Sequence, residues 1–498
     1  MSGVIIPFAL PLPKVLPAIE GNVDYRIQRD QLLHIDHMLV HSGLEDQFIQ
    51  ADLDGWLQGQ KQVSADAQAH RQLHSRRALR CNMARLLCKE GYRQFAVHLA
   101  DSPLLQYFCG LSEVDRVSVP SKSALQRYAT WWPEAQVRQL SGQMLKTGAQ
   151  TPEKLHLPEA VDLESCFLDT TCVAANIHYP VDWVLLRDAT RTLMKALCLI
   201  RDQGLKHRME PPEVFMTRIN RLCIQMTHTS AKEDSQRQRK TTLRKMDKLV
   251  GTVAAHARRY RKLLDENWSQ TEWTRPQAEQ VLGRMDQVLD QLPKARQQAR
   301  QRILSGKMVQ NQDKILSLYE PDVNVIVRKK AGAEVEFGNT LLLGENSQGL
   351  ILDWELFKES APADPRLLQP SIQRMRDAFG PVLKDLATDR GFDSRANQEV
   401  LRELDIYNGM CPRSPQELKK RLGSWKFKKL QRRRSQTEGR VAILKNVFVG
   451  QPMRSKGFES RALTVTWAVL THNLWVMARM ALAARAEALA AQAEALAA

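Results

Sequence analysis

Apolar positions along the chain change their period in a definite order. From about residue 24 to 155 they recur at helical spacing. Within that stretch, YRQFAVHLADSPLLQYFCGLSEVDRVSVPSKSALQRYATWW predicts a helix, a break at Asp101-Ser102-Pro103, and a second helix. A loop through Pro120 and a third helix capped near Ser121 or Ser123 complete it. Short helices joined by tight turns suit helix-turn-helix DNA binding, with Lys122, Ser123 and Arg127 on the reading helix. Many helical domains that never meet DNA share the pattern.

At SCFLDTTCVAANIHYP, residues 165–180, the period shortens. Cys166, Phe167 and Leu168 predict a short apolar strand ending at Asp169, with a second extended piece from Val173 to Ile177. Residues 182–310 return to helix. Strand patterns then resume in VNVIVRKK, NTLLLGEN and GLILDWELF, separated by Gly332, Gly338 and ENSQG. Asp364-Pro365 opens a helix towards Phe379, with Asp364 as its N-cap. PVLKDLATDRGFDS predicts a buried strand ending at Asp389. A helix from Ser394 to Leu404, a strand through IYNGMCP and a helix begun at Ser435 follow.

This order predicts an α/β fold, a mixed sheet flanked by helices. Residues 1–23 form an irregular arm, 24–155 a helical domain suited to DNA, and 156–181 with 311–480 the α/β core. Residues 182–310 are a helical insertion in that core. The tail 481–498, ALAARAEALAAQAEALAA, is of low complexity and strongly helix-forming, and carries no assigned function.

In such a sheet, ligands gather at strand ends and at helix starts. Asp169, Asp389 and Glu438 occupy such positions. Three carboxylates meeting there make an oxygen-only site for a hard divalent cation, Mg2+ or Mn2+. Two such ions serve in-line phosphoryl transfer, activating a water or a 3′-hydroxyl. For Glu438 a second role is open, because Ser435 and Glu438 fit a Ser-x-x-Glu capping box. Asp353 competes as a carboxylate ligand, but its mid-strand position suits a structural role. Asp393 and Glu399 suit a cap and the surface, and Arg390 a local ion pair or phosphate contact.

Charge narrows the partner. The formal net charge is +17, an excess that suits a polyanion: nucleic acid first, a membrane surface second. Residues 419–434 hold nine basic side chains and no acidic one, among them Lys428, Lys429, Arg432, Arg433 and Arg434, interleaved with Trp425 and Phe427. Residues 231–310 hold 18 Lys and Arg against 9 Asp and Glu. The apolar run ALTVTWAVLTHNLWVMARMALAA is interrupted by Thr464, Thr466, Thr471, His472, Asn473 and Arg479, which makes it a buried helix rather than a membrane span. The N-terminus lacks a basic region and carries four prolines, so it does not match a secretory signal. The eight cysteines contain no Cys-x-x-Cys, which argues against structural zinc and suits reduced thiols in a cytoplasmic setting.

The blocks LDTTCVAANIHYPVD, EPDVNVIVRKKAGAEVEFGNTLLL, ATDRGFDS and TEGRVAILKN occur in this order over roughly residues 24–480. In them the chain resembles the DDE transposases of bacterial insertion sequences. Arg434, Glu438 and Lys445 also match the spacing of a Tyr-x2-Arg-x3-Glu-x6-Lys motif of a related group, with Gln431 at the tyrosine position. The resemblance implies an RNase H-like core, a catalytic triad of Asp169, Asp389 and Glu438 holding two Mg2+ or Mn2+ ions, and Arg434 and Lys445 on the DNA backbone near the cut. It further implies terminal inverted repeats and target DNA as partners, a homodimer on DNA, and a nucleoid-associated cytoplasmic protein. A nuclease without strand transfer and a catalytically silent DNA-binding repressor are the alternatives.

Overall fold

Among the described residues, seven helices lie between Val23 and Gln150, where the helical period predicted them. They are α1 (Val23–His41), α2 (Leu44–Leu57), α3 (Ala65–Leu87), α4 (Tyr92–Asp101), α5 (Pro103–Phe108), α6 (Lys122–Ala129) and α7 (Glu134–Gln150). The computed structural model describes residues 21–58, 63–111, 117–229, 234–330 and 333–497. Most of the expected N-terminal arm lies outside them. The polar breaks act as anticipated: Ser102 caps α5 through Leu105 N, with Pro103 at its first position, and Ser121 caps α6 through Ala124 N.

The sheet begins with β1 (Ser165–Ala174). Four helices follow: α8 (Asp182–Asp202), α9 (Pro212–His228), α10 (Ser235–Asn267) and α11 (Arg275–Ala299). Then come β2 (Asn324–Lys330), β3 (Ala333–Glu345), β4 (Ile351–Leu356), α12 (Leu368–Phe379), β5 (Asp385–Thr388), α13 (Arg395–Glu403) and β6 (Tyr407–Asn408). Helices α14 (Pro415–Arg421), α15 (Trp425–Arg434), α16 (Thr437–Ile443) and the long α17 (Phe458–Ala497) close the chain. The strand order is β2-β3-β1-β5-β6, with β4 also on β3. β3 is antiparallel to β1, β2 and β4, whereas β5 runs parallel to β1 and β6 parallel to β5. This is an open mixed sheet of α/β class.

Alternation along β1 separates its two faces. Cys166 and Leu168 join a core with Leu342, Leu386, Ile372 of α12 and the N-terminal helices. On the opposite face Phe167 packs with Ala387 and Leu430 of α15, and Val173 with Leu444, Phe448 and Val465. Helices therefore cover both faces. The first core runs without interruption from Leu32 of α1 to Trp467 and Met477 of α17, so the expected boundary near residue 155 is not a break in packing. The insertion differs, since α8–α11 close around their own core of Leu193, Ile219, Met246, Tyr260, Met285 and Val288. The apolar seam of the α10–α11 hairpin is buried there.

Four local expectations change. β1 does not end at Asp169 but continues to Ala174, because β3 pairs with it through Gly338. Asp364 is not an N-cap: it starts a 3-10 turn whose cap is Ala363, and α12 begins only at Leu368. The strand expected through IYNGMCP shrinks to two residues. Finally, no helix starts at Ser435. Its hydroxyl donates back to Arg432 O at 2.6 Å as the chain leaves α15, and α16 begins at Thr437 without a side-chain cap.

Candidate functional site

Asp169 and Asp389 are neighbours by register. β1 and β5 run parallel with Leu168 opposite Thr388, the last pair of that ladder. The next residue on each strand is an aspartate, and adjacent strands lie about 4.8 Å apart. One oxygen of each is fixed by a backbone N–H. Asp169 Oδ1 accepts from Thr170 N at 2.8 Å, and Asp389 Oδ1 from Gly391 N at 2.9 Å. Gly391 is required by close approach: a Cβ there would stand 2.6 Å from Asp364 Oδ2 and 3.0 Å from Asp389 Oδ1.

Glu438 arrives from the other layer. α15 packs on β5 and α16 on β1. Two polar ties set that placement. Gln431, at the motif's tyrosine position, donates its amide to Gly409 O at 2.6 Å and to Thr388 O at 3.2 Å, pinning α15 to the strand end that carries Asp389. Buried Glu345, at the end of β3, accepts from Thr437 Oγ1 at 2.7 Å and from Arg433 at 2.8 Å. Thr437 is thereby held under α16, and Glu438 projects outward from the next position. Its exposed carboxylate makes no hydrogen bond or ion pair with any described residue, so the capping role proposed for it with Ser435 is ruled out.

Asp169 senses the other two carboxylates. Burial pushes the Asp169 carboxyl up to about 6, with the negative charges of Asp389 and Glu438 adding to the rise. The Thr170 N–H and Arg434 oppose it. None of the three acids forms an ion pair with a described residue. Lys445 lies on the same face, since Thr171 is two residues beyond Asp169 and its Oγ1 meets Lys445 Nζ at 3.2 Å. Asp364 borders the site from the other side, its Oδ1 accepting from Thr170 Oγ1 at 3.3 Å. Sequence reasoning missed Asp364, Glu345 and Gln431 as parts of this arrangement. Only Gln431 carried a signal, as the departure from the motif.

An oxygen-only set with one carboxyl held partly protonated fits a hard divalent cation, which would relieve the repulsion among the acids. Among the described residues, however, no three His, Cys, Asp or Glu side chains are already gathered closely enough to hold an ion. The three carboxylates do not close into a cage.

The other candidates divide. Lys428, Lys429 and Arg432 are exposed along α15, Lys429 over the ring of exposed Trp425 at 5.3 Å. Arg433 is turned inward: it binds Glu345, Ser347 O and Asn346 O and covers the Phe167 ring at 4.7 Å. A phosphate contact from Arg433 would have to break that set. Lys122 and Arg127 are exposed on α6, and Lys122 borders a cavity of about 740 Å³ with Arg93 and Arg454. Asp353 is buried and held by Arg374 and Ser371, a structural carboxylate. Asp393 holds Arg413 N and Gln398, and Glu399 pairs with Arg402 on the surface. None of the eight cysteines is in a disulfide. No helix among the described residues is long and apolar enough to cross a membrane. Compared with protein-family models, curated proteins and solved structures, the chain matches none.

Proposed function

We propose that the protein is a DNA transposase of the DDE type, which cleaves DNA at the ends of an insertion sequence and transfers the freed 3′-hydroxyl strand into target DNA. The observation that carries this reading is the juxtaposition of Asp169, Asp389 and Glu438 on one face, without a neutralising ion pair, beside Lys445 and an exposed basic helix. The open mixed sheet with helices on both faces supports an RNase H-like core.

Asp169, Asp389 and Glu438 would hold Mg2+ or Mn2+, two ions in all, which would supply Lewis acidity and lower the pKa of a bound water or hydroxyl. The chain's own residues do the rest. The Thr170 and Gly391 N–H groups orient the two aspartates, and Gln431 and Glu345 set the distance of α16 from the strands. Arg434 and Lys445 offer positive charge to a scissile phosphate lying over β1. Lys428, Lys429 and Arg432 follow the DNA backbone away from it. No covalent protein intermediate is needed. Two ends joined in one complex call for a homodimer on DNA, in a nucleoid-associated cytoplasmic protein.

The test is a cleavage and joining assay with labelled DNA carrying the inverted repeats that flank the gene, a supercoiled target, and Mg2+ or EDTA, beside Asp389→Asn. Mg2+-dependent nicking and joined product, both lost in the variant, are expected. Nicking without joining would leave a nuclease on this scaffold. Binding without cutting, equal in both proteins, would leave a repressor.

A further inference from the structure

Outside the carboxylate site, the most strongly charged surface lies on the helical insertion. Residues 235–262 of α10 carry ten Lys and Arg and a single acid, Asp247. That acid is already engaged, its carboxylate bound by Arg296 and Arg300 of the α11 segment. α9 runs beside α10, and the crevice between them opens into two cavities of about 580 and about 500 Å³. Arg221 stands on one lip, with Arg237, Lys245 and Lys248 on the other, all exposed. None of these four forms an ion pair with a described residue. The 17 residues of α9 make the groove about 25 Å long. Gln225, Gln238 and Thr241 add neutral donors within it.

We propose that the α9–α10 groove is a second nucleic-acid surface, which seats a DNA phosphate backbone while the carboxylate site acts elsewhere on the same molecule. It rests on the reading of the chain as a DNA-acting protein. The chemistry favours DNA over an acidic protein helix because Gln and Thr donors lie between the cations on the groove walls. Side chains of these types bind phosphate oxygens without regard to sequence. The crevice brings these four cations together against Asp234 and a Glu210 that is already paired with Arg218, so its balance stays positive.

The experiment measures binding of the full chain to a labelled 30-base-pair duplex of arbitrary sequence, in EDTA, by anisotropy across a NaCl series. Three proteins are compared with wild type. One carries Arg221→Gln, Lys245→Gln and Lys248→Gln. A second carries Lys428→Gln, Lys429→Gln and Arg432→Gln on α15. A control carries Lys206→Gln, Lys294→Gln and Lys307→Gln, with the same charge change outside both surfaces. Each phosphate that the protein no longer neutralises lowers the slope of log K against log salt by about 0.9, so the groove variant is expected to lose roughly 2–3 from that slope. The α15 variant should lose a similar amount, and the control little. An unchanged slope in the groove variant overturns the proposal, as does an equal loss in the control, which would show only the general field of the protein. Because no divalent metal is present, the outcome is independent of cutting. Intact groove binding in a protein that never cleaves would remove the transposase reading and leave this one standing.

Discussion

Glu345, Asp353 and Glu320 are more deeply buried than Asp169, Asp389 and Glu438, yet only the first three are neutralised. Asp353 receives Arg374 through two bonds of 2.7 and 2.8 Å, Glu345 receives Arg433, and Glu320 receives Arg461. At the strand ends a few residues away the pattern reverses. Arg434 is close enough to lower the pKa of Asp169 but forms no ion pair with any described residue. A chain with 72 Lys and Arg does not lack cations to place there. Carboxylates that serve the fold are paired because a lone buried charge is costly. On the function proposed above, those at the site are left for a cation to neutralise.

The sharpest way to break this contrast is Asp389→Asn. Cleavage should fall by about 10^3-fold or more, with little change in thermal unfolding, whereas an unchanged rate would remove the distinction between the two sets. Asp353→Ala should do the opposite. Arg374 keeps Glu355 but loses its two bonds to Asp353, and Ser371 loses its acceptor, for about 1–3 kcal/mol in urea unfolding, while the Mg2+ concentration for half-maximal cleavage stays as in wild type.

A pH series probes the site set alone. With its pKa pushed to about 6, Asp169 is protonated below that value. At Mg2+ concentrations well below saturation, where proton and cation compete for Asp169, the cleavage rate should therefore drop about tenfold per unit as pH falls below 6, and plateau above it. The effect on stability has the opposite sign. The metal-free folded protein holds this proton more tightly than the unfolded chain, whose carboxyl keeps the ordinary 3.8. Stability from this group is accordingly present at low pH and lost as pH rises from about 4 to 6. A flat rate profile between pH 5 and 7 would contradict the coupling of the carboxylates.

Smaller effects test the scaffold between the two sets. Gln431→Leu removes the amide donor of Gly409 O, while Thr388 O keeps the Cys411 N–H, for about 1–2 kcal/mol of stability. It should also raise the Mg2+ requirement for cleavage, a change that a merely structural loss would not produce. The smallest expected effect is a gain: Asp169→Asn removes a repelling charge and should raise the melting temperature of the metal-free protein at pH 7.5 by about 1–3 °C. A lower melting temperature would mean that Asp169 helps to hold the sheet together.

Much of this arrangement could be read from local sequence. Ser121 and Ser394 cap the helices they precede, and the strand before Asp389 stops where Arg390-Gly391 turns the chain. The capping box at Ser435 failed because α15 reaches that serine from the N-terminal side, so its hydroxyl bonds backwards. Asp364 failed in a related way, drawn towards Thr170 and the Gly391 turn instead of its own helix. The run Arg432-Arg433-Arg434 reads as uniform charge, yet the middle residue alone turns into the core, because Glu345 waits at the end of β3.

By itself, then, the sequence determined the order of helices and strands and the basic character of the α10 and α15 surfaces, and it singled out three carboxylates as candidates. Capping, turn chemistry and hydrophobic period act over a few residues and leave their mark there. Only the tertiary structure decided which acids would be neutralised, how long β1 would run beyond Asp169, and that Gln431 would tie α15 to the strand carrying Asp389. Those outcomes depend on partners as far away as Glu345 and Thr437, 92 positions apart, which no short-range pattern records.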